Sequence, residues 1–325
     1  MSWLYTDGWR GTNVMMGPDE LVQISHVARR FYLENASQVA IADELGISRF
    51  KVARLLEKAV KDGVVTITIQ SPPSIDLDLS IGLRNAFGLS RALAVPTPNE
   101  DPAVVQDQLG SVAAQLLEEI AFEGAVLGFT AGRTLNATTL HLTRLPYCEV
   151  VALGGVAGPV KEHGVEVIRR VGEVTGGPTF PIFAPLFVAS APVANALRVD
   201  RGIAQAYAKF PRVDIGMVAV GSWAPPDSQL YDAASEAGIA EQLLDQGVVG
   251  EVGATLFTAD GTTIDTIDDR SIAITGEQLR RIPEVIAVAG GRAKTRAIRA
   301  ALNTGMVNSL VTDASTAQRL LESST

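Results

Sequence analysis

Apolar residues near the N-terminus recur at three- and four-residue spacing in three successive stretches, which is the spacing of helices with one buried face. The first stretch spans residues 19–34. Ser37 and Ser48 stand where they would cap the starts of the next two helices. Gly46 lies between those helices and favours a left-handed turn. Two short helices joined by a glycine turn predict a helix-turn-helix.

The apolar positions of these helices are expected to form one small core. Residues 64–69 then predict a strand that leaves the module. The side chains expected to be buried are Leu21, Ile24, Val27, Ala28, Phe31 and Tyr32 in the first helix, Val39, Ile41, Ala42 and Leu45 in the second, and Val52, Leu55, Leu56, Ala59 and Val60 in the third.

The third helix carries five basic residues and one acidic residue, Glu57. Its exposed N-terminal part would meet base edges in the major groove, and the start of the preceding helix would contact phosphate groups. The alternative is an ordinary helical hairpin with a solvated basic face. The caps, the turn glycine, the buried pattern and the basic face together favour DNA binding. The predicted DNA-contacting residues are Ser37, Gln38, Ser48, Arg49, Phe50, Lys51, Arg54 and Lys58.

Beyond residue 75, short apolar runs alternate with helical patterns, which predicts an α/β domain built on a doubly wound, largely parallel sheet. Asp260 and Gly261 lie between two β-like stretches and predict a hairpin turn. The predicted strands span residues 92–96, 125–129, 149–153, 182–188, 215–220, 285–289 and 309–312, and the predicted helices span 103–120, 134–142, 193–209, 233–246 and 293–302.

Four of the predicted strands end in glycine-rich segments, at the sheet edge where such domains bind ligands. Arg133 would begin a helix whose free N–H groups form a cradle for phosphate, and Lys294 would lie one turn inside another helix. A single such glycine is more typical of a tight turn, but four ends with two cations favour a phosphorylated ligand. The predicted cradle comprises Gly128, Thr130, Ala131, Gly132, Arg133, Thr134, Gly154, Gly155, Gly221, Gly290 and Lys294.

Composition and charge narrow the class of protein. Hydrophobic residues make up 47% of the chain, which excludes extensive disorder. The net charge of −9 argues against a nucleic-acid-binding body, but residues 1–62 carry eight basic and eight acidic residues and are neutral. Cys148 is the only cysteine, which is typical of a reducing compartment and predicts a cytoplasmic protein. No Cys/His spacing predicts a metal, and no motif predicts a cofactor.

Prolines mark the organisation of the chain. Residues 174–197 carry no charge but contain four prolines, so they predict a buried strand rather than a membrane span. Pro72 and Pro73, between polar residues, indicate a linker. The predicted organisation is a flexible arm (1–18), a helix-turn-helix (19–69), a linker (70–75) and an effector-binding domain (76–325).

From about residue 19 to the C-terminus, a series of segments resembles the SorC family of bacterial sugar-responsive regulators. Their order along one chain carries the resemblance, since each segment alone is short. The segments are QVAIADELGISR at 38–49, GRTL at 132–135, APLFV at 184–188, GVVGE at 247–251, FTADG at 257–261, AGGRAKTRAIRAAL at 289–302 and LVTDASTA at 310–317.

The resemblance implies an effector domain similar to sugar-phosphate isomerases and deaminases that acts without turnover, in a homotetramer. It places Gly132, Arg133, Thr134 and Lys294 near the phosphate and makes Asp227 and Glu251 candidates for binding sugar hydroxyls. The predicted function is a DNA-binding regulator of carbohydrate metabolism, with repression favoured over activation, and with operator DNA and a small phosphorylated sugar as partners.

The residues leave one other function open. It is an isomerase- or deaminase-like enzyme fused to a DNA-binding head, in which Glu251 or Asp227 would supply the base. No convincing acid–base pair follows from spacing alone, so the sequence favours a regulator that is not an enzyme.

Overall fold

The structure is a computed structural model and describes residues 17–67, 74–157 and 164–322. The chain forms two compact units, divided between residues 70 and 71. Most of the predicted arm and linker lie outside the described residues. Pro18, assigned to the arm, begins the first helix. Of the predicted strand at 64–69, residues 64–67 are not a strand and the rest lie outside the described residues.

Within residues 17–67, the smaller unit has three helices and one π-helical turn, and its caps follow the sequence. Its elements are α1 (Pro18–Ala28), the π turn (Arg29–Leu33), α2 (Gln38–Leu45) and α3 (Arg49–Lys61). The Ser37 hydroxyl accepts a hydrogen bond from the amide of Ala40 at 3.1 Å. The Ser48 hydroxyl accepts one from the amide of Lys51 at 3.2 Å. Gly46 adopts the left-handed conformation with φ of 62°. The two predicted caps and the glycine turn are confirmed.

The core of the smaller unit contains fewer side chains than the apolar pattern predicts. Among residues 17–67, nine apolar side chains are buried, and they come from all three helices. The predicted burial of Leu21, Tyr32, Val39 and Val60 is wrong, because each is more than a third exposed. So short a unit has little interior, so apolar residues at the flanks of a helical stripe remain in water. The buried residues are Ile24, Val27, Ala28, Ile41, Ala42, Val52, Leu55, Leu56 and Ala59.

The larger unit alternates strands and helices, as the sequence predicts. Its helices are α4 (Leu77–Phe87), α5 (Pro102–Ile120), α6 (Arg133–His141), α7 (Gly164–Thr175), α8 (Ala191–Arg198), α9 (Arg201–Tyr207), α10 (Gln229–Glu236), α11 (Ala240–Asp245), α12 (Gly276–Leu279), α13 (Thr295–Asn303) and α14 (Ala314–Glu322). Its strands are β1 (Arg91–Val95), β2 (Val126–Phe129), β3 (Glu149–Ala152), β4 (Thr179–Phe180), β5 (Ile215–Val218), β6 (Val220–Trp223), β7 (Pro226–Asp227), β8 (Val248–Val252), β9 (Thr255–Thr258), β10 (Thr263–Ile264), β11 (Glu284–Val288) and β12 (Ser309–Asp313).

Seven of these strands form one sheet in the order β1-β12-β11-β5-β2-β3-β4. Every pairing in it is parallel. The residues of β2, β5 and β12 are buried throughout, as expected where helices cover both faces of a parallel sheet. The predicted α/β fold with a largely parallel, doubly wound sheet is confirmed. Within the described residues, no helix is long and apolar enough to cross a membrane.

A second sheet was not foreseen from the sequence. Five short strands form it in the order β10-β9-β8-β6-β7, and all of their pairings are antiparallel. The Asp260–Gly261 turn joins β9 to β10, as predicted. The chain passes from the parallel sheet to this second sheet at Ala219, between β5 and β6. The predicted single strand at 215–220 is therefore two strands in two different sheets.

The prediction of a strand at residues 182–188 is wrong. Within the described part of the chain, this segment pairs only through single bridges, Val156 with Pro185 and Phe187 with Ser271. Proline has no N–H group to donate, which prevents a continuous ladder here. Across the wider uncharged stretch, β4 and the helix α8 form instead of one buried strand.

Three predicted helices have different limits in the structure. The helix at 193–209 is divided into α8 and α9, because Asp200 caps α9 by accepting the amide of Gly202 at 3.0 Å. The helix at 233–246 is divided into α10 and α11, and α10 begins four residues earlier because Ser228 caps it. The helix at 293–302 opens with a 3-10 turn, so Lys294 precedes α13 instead of lying one turn inside it.

Candidate functional site

A cavity of about 300 Å³ opens at the carboxyl ends of β2, β3, β5 and β11. Strands β3 and β4 follow β2 toward one edge of the sheet, whereas β11 and β12 follow β5 toward the other. The adjacent pair β2 and β5 is therefore the switch point, where α/β sheets bind ligands. Twelve of the predicted effector-binding residues line this cavity: Thr130, Ala131, Gly132, Arg133, Thr134, Gly154, Gly155, Gly221, Asp227, Glu251, Gly290 and Lys294.

Two of the predicted glycines serve packing. Gly128 is not among the described residues that line the cavity. It lies within β2, where a methyl group would come 2.7 Å from the Leu153 side chain. Gly290 does line the cavity, but it is closely packed too, because a methyl group there would come 2.8 Å from the Leu109 side chain. Its neighbour Gly291 donates its amide to the buried carboxylate of Asp313 at 2.7 Å. That amide is already satisfied by the chain itself.

The start of α6 is positioned to receive an anion. Arg133 is its first residue, Gly132 supplies no side chain at the cap position, and no described side chain caps the helix. An uncapped helix start presents N–H groups and a partial positive charge. The Thr130 hydroxyl accepts the amide of Ala219 at 3.0 Å, which ties the loop after β2 to the end of β5.

Lys294 and Arg133 form a pair of cations, and Asp227 lies between them. Lys294 Nζ donates to the carbonyl of Val220 at 2.8 Å and lies 3.7 Å from Asp227 Oδ2. Arg133 Nη2 donates to Asp227 Oδ1. Burial lowers the pKa of Lys294, and the nearby carboxylates of Asp227 and Glu251 oppose that effect. Three elements distant in the sequence therefore meet in one charged cluster.

Glu251 is a buried carboxyl group next to this cluster. It lies in β8 opposite Gly221 in β6, and a methyl group at residue 221 would come 1.6 Å from Glu251 Oε1. Trp223 Nε1 donates to one carboxyl oxygen, and the Ser228 hydroxyl donates to the other at 2.6 Å. Burial raises the pKa of Glu251 to about 7, against the opposing effects of these two hydrogen bonds and of Lys294.

The hydrogen bonds of Glu251 bear on what the cavity can do chemically. A carboxyl group with a pKa near neutral pH would suit a general base. Both of its oxygens, however, already accept hydrogen bonds from Trp223 and Ser228. The arrangement suits holding a polar anionic molecule between two cations and two carboxyl groups. Among the described residues, no group of His, Cys, Asp and Glu is arranged to hold a metal ion.

Sequence reasoning missed part of this site. Ser228 supports both Glu251 and the start of α10, and the signal available for it was a serine directly before a helix. Trp223, which donates a hydrogen bond to Glu251, is 1% exposed and belongs to the core. The carbonyl of Val220, which holds Lys294, carried no signal because any residue supplies a carbonyl.

The helix α3 presents a basic surface within the smaller unit. Arg49, Lys51 and Arg54 are exposed, and none of them makes an ion pair within residues 17–67. Phe50 lies among them at the start of α3 and is 82% exposed. An exposed aromatic ring surrounded by free cations at a helix start fits the part of a recognition helix that meets base edges.

The other predicted DNA contacts have different surroundings. Lys58 is held by Glu20 of α1, so it is less available to phosphate than Lys51 or Arg54. The hydroxyls of Ser37 and Ser48 accept backbone amides at the starts of their helices and keep their O–H groups to donate. Gln38 is partly exposed at the start of α2.

Comparison with known proteins shows the family to which this chain belongs. The family model Sugar-bind, which represents sugar-binding domains, matches residues 71–322. The chain belongs to this family. The Sugar-bind match begins at the boundary between the two compact units and covers the cavity described above.

Proteins similar over most of this Sugar-bind chain are named as regulators. The erythritol catabolism regulatory protein EryD of Brucella abortus (strain 2308) is 29% identical over 89% of this chain and 93% of that protein. The transcriptional regulator LsrR of Klebsiella pneumoniae (strain ATCC 700721 / MGH 78578) is 29% identical over 97% of both. The full-length sorbitol operon regulator SorC of Klebsiella pneumoniae shares the fold, with a TM-score of 0.71 at 24% identity over 93% of this chain and 99% of that one.

Proposed function

We propose that this chain is a DNA-binding transcriptional regulator of carbohydrate metabolism whose larger unit binds a small phosphorylated sugar. The observation that carries the proposal is the pair of cations, Arg133 and Lys294, beside an uncapped helix start in a cavity at the switch point. Phosphate groups bind at helix starts and to such cations, and the Glu251 carboxyl group nearby suits a sugar hydroxyl. A repressor is the first form of regulation to test.

The smaller unit would supply DNA binding. A helix-turn-helix places its second helix in the major groove, and here that helix exposes Arg49, Phe50, Lys51 and Arg54. Ser37, Gln38 and Ser48 would contact phosphates beside it. The relatives EryD and LsrR, similar over most of the chain, are named as regulators.

The proposal extends to assembly and location. One helix-turn-helix reads one half-site, so binding of a paired operator needs at least two copies. The homotetramer that we propose rests on the resemblance to the SorC family. The sugar phosphate would favour one of two arrangements of that assembly, and only one would match the half-site spacing. A DNA-bound regulator with a single buried cysteine is proposed to act in the cytoplasm.

No observation favours the enzyme alternative. Its base would be Glu251 or Asp227, and both carboxyl groups are engaged by other side chains of the chain. The relatives cited are named as regulators. Absence of turnover in the presence of a tightly bound sugar phosphate would separate the two functions.

The test is a thermal-shift screen of phosphorylated and free sugars on the full-length chain. A ligand at ~100-fold excess over its Kd stabilises the folded state by about 2.7 kcal/mol, which corresponds to roughly 5–10 °C for a unit of this size. We expect one sugar phosphate to give such a shift. Arg133→Gln should abolish it, whereas Arg212→Gln, on an exposed surface elsewhere in the unit, should not. A free sugar that stabilises both variants equally would contradict the phosphate site.

A further inference from the structure

We propose that Asp227 determines which ligand charge the site accepts, because its carboxylate occupies the cation pair and an incoming ligand must replace it. The inference rests on the proposed function, since it concerns the same cavity. A neutral sugar brings no group that could replace a carboxylate between two cations. A phosphate dianion does, and it also reaches the start of α6.

The contacts of Asp227 show that it bridges the two cations. One carboxyl oxygen accepts a hydrogen bond from Arg133, and the other lies 3.7 Å from Lys294 Nζ. Each oxygen therefore faces a different cation. Two oxygens of a phosphate group would meet the same two partners.

The surroundings of Asp227 allow its side chain to leave. Asp227 lies at the edge of the second sheet in the two-residue strand β7, and its side chain is 31% exposed. The next residue is fixed, because the Ser228 hydroxyl donates to Glu251 and accepts the amides of Leu230 and Tyr231. A rotation of the Asp227 side chain toward solvent is therefore enough, and the backbone stays anchored.

The charge of a ligand decides how much binding it gains by replacing the Asp227 carboxylate. Exchange of Asp227 for a ligand carboxylate replaces one monoanion by another, so the gain is small. Exchange for a phosphate dianion places two negative charges against Arg133 and Lys294, which strengthens both contacts. Lys294 also keeps the carbonyl of Val220 during the exchange. The site should thus discriminate against carboxylates and neutral sugars and in favour of dianions.

The experiment uses inorganic phosphate and acetate as probes, each titrated into the full-length chain at constant ionic strength and followed by thermal shift. Asp227→Asn removes the internal carboxylate. We expect it to bind phosphate roughly five- to tenfold more tightly than the wild type, because two partly exposed ion pairs no longer compete. It should also gain acetate binding. Asp227→Ser also removes the carboxylate but introduces no amide group, and we expect the same result from it. Asp232→Asn, an equal change of charge on the exposed side of α10, should behave as the wild type.

The outcomes separate this inference from the proposed function. Inorganic phosphate has no sugar hydroxyls, so a role of Asp227 in binding hydroxyls would leave its affinity unchanged. Equal or weaker phosphate binding by Asp227→Asn, with binding lost in Arg133→Gln, would overturn the role of Asp227 and keep the phosphate site. If the wild type and both Asp227 variants bind no phosphate, the phosphate site and the inference fail together.

Discussion

The buried carboxyl group of Glu251 should make the stability of the larger unit depend on pH, and Glu251→Gln should remove that dependence. The pKa of this group is raised from 4.5 to about 7 in the folded protein, mainly by burial. The folded state therefore keeps a proton that the unfolded state has released over this range. The free energy of unfolding therefore falls as pH rises from about 4.5 to about 7.

The size of the effect follows from the same values. Each pH unit between the ordinary pKa of 4.5 and the folded-state pKa of about 7 corresponds to about 1.4 kcal/mol. The free energy of unfolding of the wild type should therefore fall by about 3 kcal/mol relative to that of Glu251→Gln between pH 4.5 and pH 8. Glutamine cannot accept both of the hydrogen bonds from Trp223 and Ser228, which adds an offset. That offset does not vary with pH, so the slope is the quantity to measure.

Urea unfolding at several pH values provides the assay. Replacement of Trp3 and Trp9 by phenylalanine leaves Trp223 as the only tryptophan, so its fluorescence reports on the larger unit. Glu241→Gln, at an exposed position in α11, serves as the control and should retain the wild-type slope. A difference between the wild type and Glu251→Gln that stays constant from pH 4.5 to pH 8 would refute the reasoning.

Three further changes have definite expected outcomes. Gly221→Ala should displace the Glu251 carboxyl group and destabilise the larger unit by at least roughly 1–3 kcal/mol, measured by urea unfolding. Ser48→Ala should destabilise the smaller unit by about 1 kcal/mol, measured by hydrogen exchange of the α3 amides, since α3 loses its cap; no loss would contradict the capping role. Arg54→Ala should weaken DNA binding and lower the slope of log affinity against log salt by about 1, whereas an unchanged slope would exclude a phosphate contact.

The local features of the fold were predictable because single residues specify them. Ser37, Gly46 and Ser48 fix the ends of α2 and α3 whatever surrounds them, and the structure has them as expected. Apolar runs buried on both faces predicted the parallel sheet. The second sheet was not predictable, because its strands are two to five residues long and their pairing depends on distant partners.

The candidate site also has parts that the sequence predicts and parts that only the folded chain reveals. The helix start at Arg133 and the glycine-rich strand ends could be found from sequence, and the structure brings most of them to one cavity. The sequence could not distinguish Gly128 from the glycines that line the cavity, because only the folded chain shows that Gly128 packs against Leu153. The contact of Asp227 with Arg133 joins residues 94 positions apart, so only the folded chain reveals it.

The central claim is that one chain joins DNA binding to recognition of a sugar phosphate, and a single competition measurement tests it. Duplex DNA selected by the full-length chain from a random pool is bound at fixed salt, and sugar phosphates are titrated in. We expect one of them to change the affinity for DNA, and Arg133→Gln to bind the same DNA without responding to that sugar phosphate. An equal response in Arg133→Gln, or no selection of DNA at all, would contradict it.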